Sequence, residues 1–215
     1  MAKKKLGVNP WTHIWFHPRE TIRKVARYNP KHRFLILSFL YGLPMLLHMA
    51  QNLSLGQEFT VAGISIFAIV LATFVGMLGI AIASALITWT GRWIGGEANY
   101  KKVRCAVSWS NAPNIVSVLV WILLIFSFGG SVFFEDFQQE GHQGLAMLLV
   151  TGGLVVQAVL SVWSFIILVK GLGEVQGFSA WKGALNVLIP FFMVGLFIWL
   201  MTWVYWIFDG MPVAS

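Results

Sequence analysis

Residues 61–89 read VAGISIFAIVLATFVGMLGIAIASALITW, with no charged side chain among them. A helix needs about 20 apolar residues to cross a hydrocarbon core roughly 30 Å thick, so this stretch is a membrane span with length to spare. Four more stretches read the same way: Phe34 to Ala50, Asn114 to Phe134, Leu145 to Val169 and Leu185 to Phe208. The first of the five is short and carries Gly42 and Pro44, which predicts a kink or an extension by its flanks. The second is too long for an upright crossing and is expected to tilt, to project into the cytoplasm, or to bend near Gly76 and Gly79. The expected fold is therefore all-α, a bundle of five transmembrane helices. Residues 1–33 form a cytoplasmic basic and aromatic segment with an amphipathic helix, residues 34–208 the bundle, and residues 209–215 a short outer tail.

Composition points to the same solvent. Apolar residues make up 58% of the 215 and charged residues 11%, against roughly 25% charged in soluble domains. A water-soluble chain this short has too much surface to cover with so few charges.

All 15 Lys and Arg side chains fall in three places. The segment before the first span holds Lys3, Lys4, Lys5, Arg19, Arg23, Lys24, Arg27, Lys31 and Arg33; the second loop holds Arg92, Lys101, Lys102 and Arg104; the fourth holds Lys170 and Lys182. The first loop, the third loop and the tail carry only acids: Glu58, Glu135, Asp136, Glu140 and Asp209. The positive-inside rule then puts the N-terminus in the cytoplasm and the C-terminus outside, and adding or losing a span would scramble the alternation. Trp199, Trp203, Tyr205 and Trp206 at the outer end, with Trp89, Trp93 and Trp109 around the inner loop, fit headgroup-level aromatic belts. Lys3-Lys4-Lys5 is followed by Asn9, His13, His17 and Arg19 rather than an apolar core, so no cleavable signal peptide is expected.

The net charge of +7 is better matched to anionic lipid headgroups than to nucleic acid, because it is confined to the inner loops. Pro18 to Tyr28 reads as a short helix with Ile22, Val25 and Ala26 on one face and Arg19, Arg23, Lys24 and Arg27 on the other; with Trp11, Ile14, Trp15 and Phe16 it is expected to lie along the inner leaflet, to pack beneath the bundle, or both. Lys101, Lys102 and Arg104 form a second lipid-surface group beside Tyr100, Val103 and Val107. Gly95-Gly96 and Gly171, Gly173 and Gly177 are expected to loosen their loops.

Chemistry is sparse. No Asp, Glu, Lys or Arg lies well inside a span, and the deep polar candidates are Gln157, expected to bond a neighbouring helix, and His48, expected to be solvated near the outer end. His13 and His17 stand four apart without an acid or cysteine to complete a metal site. Cys105 stands alone, which excludes an internal disulfide, and is expected to be a semi-buried thiol. No nucleophile setting or phosphate loop is present, so no catalytic residue, cofactor or metal is expected. Small residues recur instead: Ala68, Ala72 and Gly76, then Gly79 and Ala83, in the second span, and Gly153, Gln157 and Ser161 in the fourth. Such spacing lets helices approach closely, within the bundle or in a homo-oligomer or a complex with other membrane proteins.

Three stretches carry a resemblance. Asn9-Pro10-Trp11, then Phe16-His17-Pro18-Arg19-Glu20-Thr21-Ile22-Arg23 and Asn29-Pro30, resembles the opening of the Yip family, the Ypt/Rab-interacting proteins, in its short prokaryotic form. Gly95-Gly96 through Tyr100-Lys101-Lys102-Val103 to Asn111-Ala112-Pro113, and Gly171-Leu172-Gly173-Glu174-Val175-Gln176-Gly177-Phe178-Ser179 leading to Ala184, are similar to it too. The resemblance implies five spans, a cytoplasmic N-terminus and no established enzymatic activity. It associates eukaryotic relatives with Rab GTPases, trafficking and membrane shaping through a longer cytosolic segment, where only about thirty residues precede the first span here. The expectation is a non-enzymatic protein of the bacterial inner membrane that scaffolds partners or organises or shapes the bilayer, touching anionic lipid on its cytoplasmic side. The alternative is a small channel, transporter or lipid-moving protein with a polar path between helices.

Overall fold

The computed structural model describes residues 7–134, 137 and 143–209. Lys3, Lys4, Lys5, Glu135, Asp136, Glu140 and the tail beyond Asp209 lie outside them. The described residues form helices and turns, without a strand: α1 (Pro10–His13), α2 (Pro18–Tyr28), α3 (Phe34–Asn52), α4 (Val61–Trp93), α5 (Tyr100–Ser110), α6 (Asn114–Phe128), α7 (Gly144–Gln176) and α8 (Ala180–Asp209). Five stretches are long and apolar enough to cross a membrane: Phe34–Asn52, Val61–Trp93, Tyr100–Phe133, Gly144–Gln176 and Ala180–Ile207. The chain is an integral membrane protein. Bilayer-embedded backbone must bond to itself, and helices do that within one segment.

Helix α4 runs 33 residues, or about 50 Å at 1.5 Å per residue, well beyond the hydrocarbon core. It is one uninterrupted helix through Gly76 and Gly79. Both glycines serve closeness. A Cβ on Gly76 would overlap the carbonyl of Ser38, and a Cβ on Gly42 would overlap that of Ala72. Ala68 and Ala72 are buried in the same seam, while a Cβ on Gly79 would press on the Tyr41 ring. Ala83 is partly buried against the core. This stripe is therefore used inside the chain, against α3.

The third span is assembled from pieces. α6 has 15 residues and is completed by a 3-10 turn over Gly129–Phe133. On its other side it meets α5 through the turn Asn111–Pro113. In α5 the residues Val103 and Cys105 to Ser110 are buried. The segment expected as a small surface element is thus central to the fold, and Cys105 is fully buried rather than semi-buried. Trp109, expected at the headgroup level, is 1% exposed and packs against the rings of Trp11 and His32.

Two glycines expected in a loose fourth loop are helical. α7 extends through Gly171 and Gly173 and ends at Gly177, which adopts φ +76°, a left-handed cap that glycine takes without strain. A Cβ on Gly171 would strike Ile22, so that glycine admits α2 against α7. The physical reason for the longer helix is burial: Gly171, Leu172 and Gly173 face the core, where an open backbone would leave polar groups unbonded. α8 is the opposite case. From Phe191 to Trp206 every residue is exposed, and a helix that apolar on all sides is covered by lipid.

Candidate functional site

Two polar assemblies stand out, one at the end of the bundle that carries α1 and α2 and one among the spans. At the basic end α2 packs on α5 and α7, and Thr21, Ile22 and Val25 are buried there with Ile14. Of the placements expected for the apolar face of α2, packing beneath the bundle is the one that Ile22 and Val25 take. Arg23 donates from Nε and Nη2 to the two carboxylate oxygens of Glu174 at 2.5 and 2.9 Å. The bonded carboxylate pushes the Arg23 guanidinium further above its ordinary range. Lys24 reaches Glu20 at 2.7 Å, and that bond holds the Glu20 carboxyl below the usual carboxylate range. Arg19 and Arg27 are exposed.

The other basic group is divided as well. Lys101 and Lys102 are exposed on the first turn of α5. Arg104 turns inward, its guanidinium 4.8 Å from the centre of the Phe34 ring and 5.5 Å from that of Tyr100, where the aromatic faces attract it. Of the seven expected lipid-surface residues, Arg19, Arg27, Lys101 and Lys102 remain open, while Arg23, Lys24 and Arg104 have partners within the chain. His13 bonds Thr21 at 2.8 Å through Nδ1 and stacks on His17 at 4.7 Å.

Glu174, Gln176 and Asn186 were not singled out from sequence, although each anchors this end. The Gln176 side-chain oxygen accepts the Ala98 N–H and its backbone carbonyl accepts the Glu97 N–H, both at 3.2 Å. Thr90 donates to the Asn186 side-chain oxygen at 2.9 Å. Gly91 and Gly96 both leave room for the Gln176 amide, and a Cβ on either would enter it. Gly96, expected as a flexible break, is thus a close-packed position. In the sequence, Glu174 and Gln176 stand within the glycine-bearing stretch Gly171 to Ser179, and Asn186 is a carboxamide at the start of an apolar run.

Among the spans, the Gln157 side-chain oxygen accepts from His48 Nε2 at 3.0 Å and from Ser117 Oγ at 3.1 Å. The imidazole also packs edge-on against Trp121 at 4.9 Å. His48 is therefore not merely solvated, as its position near the outer end had suggested. Gln51, buried near the end of α3, donates to the Val132 carbonyl at 2.7 Å. Gly153 is buried against Val120 and Leu124, whereas Ser161 is exposed and bonds back to the Gln157 carbonyl at 2.9 Å. The fourth-span stripe thus splits: Gly153 and Gln157 face α6 and Ser161 does not. The cavity beside Gln51, Trp121 and Gln157 measures about 10 Å³. A larger one of about 360 Å³ has apolar walls, among them Leu46, Met49, Phe59 and Phe67.

A family model, that of the Yip1 domain, matches residues 12–202 of the chain. No curated protein and no solved structure matches it.

Proposed function

The chain belongs to the Yip1 domain family, and on that premise we propose that it is a non-enzymatic membrane protein that organises or shapes the bilayer or scaffolds membrane partners. Its basic end rests on the anionic headgroups of the inner leaflet, in a bacterial inner membrane, with the N-terminus cytoplasmic and the C-terminus outside. The observation that carries this reading is that the polar groups between the spans enclose almost no space. The polar cavity at Gln157 holds about 10 Å³, room for about one water, and α3 and α4 meet with glycine against backbone carbonyl. The orientation draws support from the confinement of all Lys and Arg to the N-terminal segment and two connections. Arg19, Arg27, Lys101 and Lys102 supply the open charge, each worth about 1 kcal/mol near an anionic surface.

The alternative, a conduit, draws on the bonded set His48, Gln157 and Ser117 between three helices. Reconstitution separates the two. Vesicles holding the chain should change size or curvature without becoming permeable to ions or small solutes. A flux of ions, solutes or lipid that falls when Gln157→Leu is introduced would replace the scaffold with the conduit.

A further inference from the structure

Between the elbow joining α1 to α2 and the inner stretch of α7 run two cavities with common walls. One, of about 110 Å³, lies among Trp15, Trp163, Ile166 and Ile167. The other, of about 360 Å³, lies among His17, Arg19 and Glu20. Phe16, Pro18 and Lys170 border both, so the two adjoin along one side of the elbow as a groove with an apolar end and a charged end.

The order of the walls along α7 matches a leaflet. Trp163, Ile166, Ile167 and Lys170 are spaced to share one face of the helix. Trp163 stands seven residues before Lys170, about 10 Å along the axis. The charged end is the one nearer the end of α7 at Gln176, beside α2, and the apolar end runs back into the span.

The charge at the mouth is cationic. Glu20 is engaged by Lys24 at 2.7 Å and approached by His13 at 3.8 Å, which leaves Arg19 and Lys170. Among the described residues neither side chain has an ion-pair partner. Phe16 stands at the same mouth with 81% of its surface exposed, and an aromatic ring at that level suits the headgroup region.

We infer that this groove holds one anionic phospholipid of the inner leaflet, its phosphate between Arg19 and Lys170 and the start of an acyl chain along Trp163 and Ile166. The inference rests on the proposed placing of the basic end against that leaflet and narrows it from a surface to a site. A cationic pocket that continues into an apolar slot complements an amphiphile. It offers little to a soluble anion, which would leave the slot empty.

The test is thermal unfolding of the purified full chain in neutral detergent with added phosphatidylglycerol, phosphatidylcholine or inorganic phosphate. Three proteins are compared: wild type, the groove pair Arg19→Gln with Lys170→Gln, and the pair Arg92→Gln with Lys182→Gln, which removes the same charge from exposed positions elsewhere. Wild type should be stabilised by phosphatidylglycerol and not by the other two additions. The groove pair should need about thirtyfold more of the lipid for the same shift, as expected for two basic contacts of ordinary strength. The second pair should behave as wild type. Equal losses in both pairs would overturn the groove and leave the broader surface standing. Equal stabilisation of wild type by phosphatidylcholine would remove both, and reproduction of the shift by phosphate alone would make the site one for a soluble anion.

Discussion

Arg23 and Glu174 are 151 residues apart in sequence and meet in a two-pronged ion pair, with contacts of 2.5 and 2.9 Å. This pair pins α2 to the end of α7, beside the point where Gly171 makes room for Ile22. A fork of this kind fixes orientation as well as distance, because both nitrogens must face both oxygens. Glu174→Gln should therefore loosen α2 without unfolding the spans. Hydrogen exchange of amides 21–28 should quicken relative to wild type, while those of α4 stay protected. Unchanged exchange in α2 would show that Ile22 and Val25 hold the helix alone.

The α3–α4 seam offers a sharper contrast. Gly76→Leu would drive a side chain into the Ser38 carbonyl, and overpacking of this kind costs about 1–3 kcal/mol or more. Gly152→Leu makes the same change where nothing lies within 4 Å and should leave the melting temperature in detergent where it was. Equal melting temperatures for the two variants would contradict the close contact.

The intramembrane set predicts a modest effect. Gln157→Leu removes the acceptor of both His48 and Ser117, two bonds worth about 0.6 kcal/mol each on average between membrane helices. A loss of about 1 kcal/mol in unfolding free energy is expected. His48→Ala in the same background should then add little beyond its lost contact with Trp121, which a double-mutant cycle would reveal. Full additivity of the two changes would argue against the bond.

Acid should loosen the junction of α2 with α5. His32 packs between Tyr28 and Trp109, and burial, with Arg33 next to it, pushes its pKa below the ordinary 6.5. A histidine with a lowered folded pKa binds its proton more readily when unfolded, so its contribution is present above the unfolded value and is lost as pH falls through 6.5 and toward the folded pKa. Protection factors of amides in α2, each corrected for the intrinsic exchange rate at its pH, should be lower at pH 5.5 than at pH 7.5 in wild type, and His32→Gln should flatten that difference. An identical pH response in the variant would assign the effect to other groups.

Orientation can be checked with introduced cysteines, since Cys105 is buried and gives little background. Gln57→Cys, in the exposed first loop, should react with a membrane-impermeant maleimide in intact cells. Lys101→Cys should react only after permeabilisation. The reverse pattern would invert the proposed topology.

Much of the fold was legible because it is written in one dimension. An apolar run of sufficient length has one stable form in lipid, a helix, whatever its neighbours do. The five spans of the sequence therefore reappear, and at the end of α7 the boundary moved because burial by other elements extends the helix. Gly171 and Gly173 read as loop residues because glycine is weak in isolated helices. Only the approach of Ile22 and the closing loop at Phe178 explains their place inside α7.

The sequence by itself determined the solvent, the number of spans and the end that carries the positive charge, since each depends on composition along the chain. Tertiary structure alone decided which charges remain open. Among the described residues Arg19 and Lys170 make no ion pair and stand beside one groove, whereas Arg23 is taken by Glu174 and Arg104 by two aromatic rings. It also decided that His48 meets Gln157 across 109 positions. The physical reason is that such meetings depend on how helices are rotated and how nearly they touch. Those quantities are set by contacts such as Gly76 on Ser38 and Gly42 on Ala72, between residues that lie far apart along the chain.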